Sequence, residues 1–318
     1  MKYYLGIDLG GTNIAAGVVD ENYKIIAQAS VRTNSPRPAD DIADDMAFVA
    51  MEALKKAEID MNDIEWVGVG APGSINQDTG IVEYSNNLGF LDVPLKKMLE
   101  ERMQKTVYIE NDANAAAYGE YKAGSAKSVD ISVMVTLGTG VGGGIVINNK
   151  IYTGFNYCGA ELGHAVIKLD GRPCTCGRRG CLEAYASATG LIQTTKELMQ
   201  ENKDSALWEI CGGDISRVNG RTAFDGVRQD DATAKKVVDL YVKQLACGIT
   251  NIINIFQPDM LCIGGGISRE GDNLLNPLKE IINQEVYSRN SERNTKIVVA
   301  TLGNDAGIIG AALLGLSH

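Results

Sequence analysis

Leu5–Ile26 reads LGIDLGGTNIAAGVVDENYKII, and its pattern returns at Ile131–Tyr152 as ISVMVTLGTGVGGGIVINNKIY. Each stretch is an apolar, β-branched run, a glycine-rich turn, a second run and a polar tight turn. Leu-Gly opens the first turn in both, at Leu9-Gly10 and Leu137-Gly138. The polar turns are Asp20-Glu21-Asn22 and Asn148-Asn149. Alternation broken by such turns predicts a three-stranded meander. Its recurrence predicts two α/β domains, each opening on a meander. The length of 318 residues agrees, being more than one hydrophobic core usually organises.

Outward from these stretches the elements alternate. Asp40–Ile59 carries Ile42, Met46, Val49, Ala50, Ala53, Leu54 and Ala57 at helical spacing. Residues 65–73, EWVGVGAPG, read as a buried strand ending in a Pro-Gly turn, and 107–124 as a strand running into an Ala-rich helix. A long helix is predicted over Ala232–Phe256, a buried strand at Met260–Ser268, a last strand at KIVVATLG, and a last helix from near Asp305. No low-complexity linker separates the halves, which predicts abutting domains that share a cleft.

The formal charge of −10 argues against a phosphate backbone as the main partner. No run of eighteen apolar residues predicts a membrane span. The start, MKYYLGIDLGG, lacks the apolar core of a secretory signal, so a cytoplasmic protein is expected. Seven cysteines in such a chain do not suggest a disulfide framework. Cys158, Cys211, Cys247 and Cys262 are scattered and read as small buried residues.

Three glycine-rich turns are candidate phosphate cradles: Asp8-Leu-Gly-Gly-Thr12, Leu137-Gly-Thr-Gly140 and Gly264-Gly-Gly266. Glycine lets backbone N–H groups approach an anion. None fits the P-loop, and GVGGG leads into a strand, where a dinucleotide fingerprint needs a helix. Singly, each is as well explained as a tight turn. Together they favour a nucleotide. Asp8, at a strand end beside its turn, suits either Mg²⁺ held through water or a carboxylate accepting from turn amides.

Asp112 has two readings. It lies where the Tyr108-Ile109 strand meets a helix, so it can cap that helix. It can also be a general base, kept ionised by the helix N-terminus, as a kinase acting on an alcohol requires. The only histidines are His164 and the terminal His318.

Residues 163–185 read GHAVIKLDGRPCTCGRRGCLEAY, with His164, Cys174, Cys176 and Cys181 spaced His-x9-Cys-x-Cys-x4-Cys. Three thiolates and one imidazole suit tetrahedral zinc, and four protein ligands make the metal structural. Glu161 and Glu183 flank this knot. Singly they read as solvated charges. Beside a rigid metal loop they read as positioned acceptors for sugar hydroxyls, with the second imidazole nitrogen of His164 as a donor.

GIDLGGTNIAAGVVD, GVGAPG, SNNLGF, ENDANAAAYGE, the long segment through Glu161-Leu-Gly-His164, CTCGRRGCLEAYAS and CIGGGIS occur in that order over nearly the whole chain. In this the sequence resembles the ROK family of repressors and sugar kinases, most closely its bacterial glucokinase branch. The resemblance implies an actin/hexokinase-like (ribonuclease H-like) fold of two α/β domains, with ATP and sugar in the cleft. It places the small domain at 1–120 plus 303–318 and the larger at 121–302, with the zinc knot at 164–181.

By the same resemblance Asp112 takes a proton from the sugar hydroxyl. Gly73, Asn87, Asn111, Glu161, His164 and Glu183 contact the sugar, and Asn86 is the alternative to Asn87. Asp8 with Mg²⁺, Thr12, Thr139, Gly10, Gly11, Gly138 and Gly265 hold the nucleotide. The expected activity is ATP-dependent phosphorylation of an aldohexose, foremost glucose. Fructokinase, N-acetylmannosamine kinase or a sugar-responsive regulator are the alternatives. A homodimer is the base-rate expectation, with neither nucleic acid nor membrane as partner.

Overall fold

The structure is a computed structural model and describes residues 1–317; His318 lies outside the described residues. The opening stretch forms the expected meander, β1 (Tyr3–Leu9), β2 (Asn13–Asp20) and β3 (Ile25–Arg32). After α1 (Ala39–Ala57) come β4 (Ile64–Ala71) and three short strands, β5 (Ser74–Asn76), β6 (Ile81–Ser85) and β7 (Phe90–Val93). Then follow α2 (Leu95–Met103), β8 (Val107–Asn111) and α3 (Asp112–Ala123). The repeat supplies β9 (Ile131–Leu137), β10 (Val141–Ile147) and β11 (Lys150–Ile151). Beyond the cysteine loop lie α4 (Glu183–Ala186), α5 (Ala188–Glu201), α6 (Leu207–Ile210), α7 (Thr222–Arg228) and α8 (Ala232–Phe256). The chain ends through β12 (Met260–Gly264), α9 (Asp272–Glu285), β13 (Lys296–Val299) and α10 (Ala306–Ala312).

Three sheets result, in the orders β3-β2-β1-β4-β8, β11-β10-β9-β12-β13 and β5-β6-β7. The chain divides into two compact units. One comprises Met1–Met134, Gly144–Ala160 and Ala300–His318, the other Val135–Gly143 and Glu161–Val299.

In the first unit the meander is antiparallel, while β4 and β8 add to it in parallel. Strand alternation sorts β1 into two faces. Leu5, Ile7 and Leu9 enter a core with Ile42, Met46 and Val49 of α1. Gly6 and Asp8 face α10, where a Cβ on Gly6 would lie 2.0 Å from Ile308 O. Gly310 of α10 lies equally close to α3, its absent Cβ 1.7 Å from Ala115 O. Glycines at these contacts let α10 seat on sheet and helix at backbone distance, which sets the surroundings of Asp8 and Asp112. Helix α1 ends at Glu58, left-handed at φ 57°, slightly short of the expected Ile59.

In the second unit α8 is the spine. Asp231 caps it, accepting from Ala234 N at 2.7 Å, and is itself held by Ser205 and Ala206. A notch at Gly248 takes the fully buried Leu182: a Cβ there would lie 2.5 Å from Leu182 Cδ1. Leu182 stands between Cys181 and Glu183, so the helix braces the end of the cysteine loop.

The scattered cysteines do not behave alike. Cys211 and Cys262 are buried as expected, Cys247 is half-buried, and Cys158 is exposed. Cys158 sits in a loop where Gly154, Tyr157 and Ala160 all take positive φ, which carries the chain over the surface.

Candidate active site and metal centre

Six of the predicted residues or turns fall in the first unit. Asp8 is the last residue but one of β1 and is half-buried, and its neighbour at the C-terminal helix is Gly307, where a Cβ would lie 2.5 Å from Asp8 Oδ2. Burial, then the charge of Asp112, pushes the Asp8 carboxyl up to about 6. The Gly10–Thr12 turn is pinned by Thr33, whose Oγ1 donates to Gly10 O at 2.6 Å and whose N donates to Thr12 O at 2.9 Å. Asn87 lies against this turn, its Cβ 3.4 Å from where a Cβ of Gly11 would be. Asn86 and Asn87 are both exposed.

Asp112 is not the helix cap. That task falls to Asn111, whose Oδ1 accepts from Ala113 N at 2.9 Å and Asn114 N at 3.2 Å. An amide acceptor suffices for the cap, so Asp112 stands at the first helical position. It accepts from Ala113 N at 2.9 Å, yet burial outweighs this bond and raises its pKa. Asn111 Nδ2 donates to Gly73 O at 3.2 Å, so the predicted Gly73 and Asn111 are joined directly. Gly73 is left-handed at φ 118°, which a side chain rarely tolerates.

A half-buried carboxylate whose proton affinity is raised by burial and by the charge of Asp112, with no basic side chain bonded to Asp8 among the described residues, fits a divalent cation. Mg²⁺ through water at Asp8 would relieve that repulsion.

One residue at this site, the Glu that opens ENDANAAAYGE, was given no role by the sequence reading. Glu110, beside the capping Asn111, is buried and accepts from Asn111 N, Asn114 Nδ2 and Gln77 Nε2. A lone Glu inside a strand has no spacing that marks it, and its Gln77 partner is far off in sequence.

The second unit holds the remaining residues. The Leu137–Gly140 turn closes with Gly138 N donating to Gly140 O at 3.0 Å. Thr189 Oγ1 donates to Thr139 O at 2.8 Å, and Ala188 N to Gly138 O at 2.8 Å. A Cβ on Gly138 or Gly266 would meet nothing within 4 Å, so open space stands over both turns. Gly265, at φ 84°, has its missing Cβ 2.4 Å from Leu137 O, which ties the two turns together. Exposed backbone in pinned, glycine-lined turns fits a phosphate chain.

The four predicted metal ligands meet. The ligand atoms of His164, Cys174, Cys176 and Cys181 all lie within 4.8 Å of one another. Cys176 Sγ and Cys181 Sγ are 3.7 Å apart, and Cys174 Sγ is 3.6 Å from His164 Nδ1. A tetrahedron with Zn–S of about 2.3 Å and Zn–N of about 2.0–2.1 Å has edges of about 3.6–3.8 Å, so the donor set fits zinc. Burial and neighbouring sulfurs push Cys181 up to about 12, while the Arg178 N–H lowers Cys176.

His164 thus turns Nδ1 to the sulfurs and Nε2 towards Glu161, whose Oε2 is 3.9 Å away. Glu183 is more constrained than expected. Its Oε2 accepts from Val141 N at 3.0 Å and its Oε1 from Thr175 Oγ1 at 3.2 Å. It links the cysteine loop to the Gly138–Gly140 turn, and a Cβ on Gly140 would collide with it at 2.4 Å.

The family model described as ROK family matches residues 4–317. A glucokinase of Thermotoga maritima is 39% identical over 310 residues, covering 97% of this chain and 95% of that protein. The crystal structure of a ROK family glucokinase from Streptomyces griseus, solved with glucose and AMPPNP, superimposes with a TM-score of 0.83 at 34% identity, covering 98% of both chains. The xylose repressor of Bacillus subtilis is 30% identical over 318 residues, covering 99% of this chain and 77% of the repressor.

Proposed function

The chain belongs to the ROK family, and from that premise we propose that it transfers the γ-phosphoryl group of ATP to the 6-hydroxyl of glucose. It is an ATP-dependent sugar kinase of the actin-like sugar-kinase fold, as its similarity to glucokinases across nearly the whole chain supports. The observation that carries the reading is Asp112. It is a half-buried carboxylate of raised proton affinity, relieved of capping duty by Asn111 and set beside the Asn111–Gly73 link.

Phosphoryl transfer needs alignment and charge neutralisation more than covalent chemistry. Asp112 accepts the hydroxyl proton, and its raised pKa makes it a stronger base once ionised. Asn87, Asn111, Glu161, His164 Nε2 and Glu183 orient the sugar. The Gly10–Thr12, Gly138–Thr139 and Gly265 backbones hold the phosphates. Mg²⁺, held through Asp8, supplies charge neutralisation when bound. Zinc on His164, Cys174, Cys176 and Cys181 fixes the loop that ends in Glu183. We place the protein in the cytoplasm as a homodimer, and no helix among the described residues is long and apolar enough to cross a membrane.

A coupled ADP-release assay over glucose, fructose, mannose, allose and N-acetylmannosamine tests the reading. Glucose is expected to give the highest kcat/KM, and polyphosphate in place of ATP to yield no sugar phosphate when the product itself is assayed. Sugar-independent ADP release, or DNA binding in a gel shift without kinase activity, overturns it.

A further inference from the structure

Glu110 is a buried carboxylate, 3% exposed, for which the reaction above has no task. It ends β8 but one, two residues before Asp112. Its Oε1 accepts from Asn111 N at 2.7 Å and from Asn114 Nδ2 at 3.1 Å, while its Oε2 accepts from Gln77 Nε2. All three partners are neutral, and burial pushes the carboxyl up to about 7 in spite of them. Burying a carboxylate without a counter-ion is expensive, and an apolar side chain would fill a strand end at less cost. The cluster is also incomplete, for Asn114 Oδ1 is buried without a partner. Hydrogen bonding here is therefore not arranged for stability alone.

The location of Gln77 shows what the cluster joins. Gln77 lies in the tight turn after β5, closed by Gly80 N donating to Asn76 O at 2.8 Å. That turn belongs to the small β5-β6-β7 sheet, which Gly73 precedes and whose β6–β7 connection carries Asn87. At the other end of the same hairpin, Asn111 Nδ2 donates to Gly73 O. The hairpin is thus fastened at two points to the junction of β8 and α3, once through Asn111 and once through Glu110.

We propose that Glu110 is a positioning residue, which holds the small β5-β6-β7 sheet, with Gly73 before its first strand and Asn87 in its second connection, in register with Asp112, so that the sugar hydroxyl meets its base. The proposal rests on the sugar-kinase reading. A displacement of about 1 Å in such a reaction costs roughly 10²-fold in rate, so a link of this kind acts on turnover without touching substrate.

The link to the hairpin gives a specific test. A glutamine at 110 still accepts from Asn111 and Asn114 through Oε1, and its amide N–H₂ can pair with Gln77 once the Gln77 amide turns over, so Glu110→Gln removes the charge and keeps the link. Gln77→Met keeps the length of the side chain and offers Glu110 no donor. With wild-type protein and its preferred sugar as control, Gln77→Met is expected to lower kcat/KM for the sugar about tenfold, with KM for ATP within twofold, while Glu110→Gln stays within about threefold of wild type. Sugar kinetics of Gln77→Met within twofold of wild type overturn the proposal, as does a loss in Glu110→Gln as large as that in Gln77→Met.

Should Gln77→Met fail to fold, Gln77→Ala also cuts only the hairpin link. It is expected to lower kcat/KM for the sugar about tenfold while KM for ATP stays constant, and wild-type sugar kinetics in it overturn the proposal. A wild-type protein that phosphorylates no sugar defeats the kinase reading itself, and the control shows this before any variant is compared.

Discussion

Glu183 Oε2 accepts from Val141 N at 3.0 Å, which fastens the carboxylate behind the cysteine loop to the end of the Gly138–Gly140 turn. The residue expected to serve the sugar therefore also shapes the turn proposed to hold the phosphates. Two substitutions separate the roles. Glu183→Gln keeps an acceptor for Val141 N but loses the charge that strengthens a bond from a sugar hydroxyl. It should raise KM for the sugar about tenfold and leave KM for ATP within threefold. Glu183→Ala should raise both. Steady-state kinetics with each substrate varied in turn measures the split, and equal effects of Gln and Ala on ATP would show that the Val141 bond does not matter to the turn.

Asp112→Asn tests the base. The side chain keeps its size and its bond from Ala113 N, but loses the ability to take a proton. General-base catalysis is worth about 10²–10⁴-fold, so turnover should fall by that factor while calorimetry shows the sugar still binding. Turnover near that of wild type would remove Asp112 from the reaction.

The sequence made some of this legible and concealed the rest for physical reasons. The meander was readable because strand alternation and glycine turns are local, and its repeat at 131–152 declared a second sheet. The meeting of His164, Cys174, Cys176 and Cys181 was readable because they fall within eighteen residues, His164 to Cys181, with loop glycines between. For Asp112 the sequence offered two readings, base and cap, since Asp at a strand–helix junction is a good cap. Asn111 took the cap, and adjacent residues of equal capping ability cannot be ranked without backbone angles. Glu110–Gln77 and Glu183–Val141 were hidden because each bond spans 33 and 42 residues and depends on how strands and turns pack. Propensity and spacing do not reach that far.

Metal removal should act on stability and sugar binding together. Glu183 Oε1 accepts from Thr175 Oγ1, between two of the cysteines, and Leu182 is lodged at Gly248. Loss of a structural zinc frees the loop and, through it, Glu183. One zinc per chain is expected by elemental analysis. A chelator strong enough to remove it should lower the melting temperature and raise KM for the sugar at least fivefold, and added Zn²⁺ should reverse both. Unchanged sugar kinetics in the metal-stripped protein would separate the knot from the pocket.

Stability should fall as pH rises through the range where the buried carboxyls ionise. Glu110 is raised to about 7 from an ordinary 4.5, and Asp8 to about 6 from 3.8. Between the unfolded and folded values the native state holds the proton more tightly, so stability declines with pH there. Below pH 4.5 both states hold the Glu110 proton and its contribution is flat; above about 7 both have lost it and the loss is complete. No charged neighbour contributes to the Glu110 shift, and the bonds from Asn111, Asn114 and Gln77 oppose it, so burial sets the sign. The shift corresponds to something on the order of 3 kcal/mol across the window. Glu110→Gln mimics the protonated form at every pH. Its melting temperature, whatever its absolute value, should therefore decline less steeply than that of wild type between pH 5 and 7.5, and the two slopes should agree above pH 8. Asp8→Asn should flatten the lower part of the same curve. Parallel melting curves for wild type and Glu110→Gln from pH 5 to 8 would mean that Glu110 is ionised in the native protein throughout.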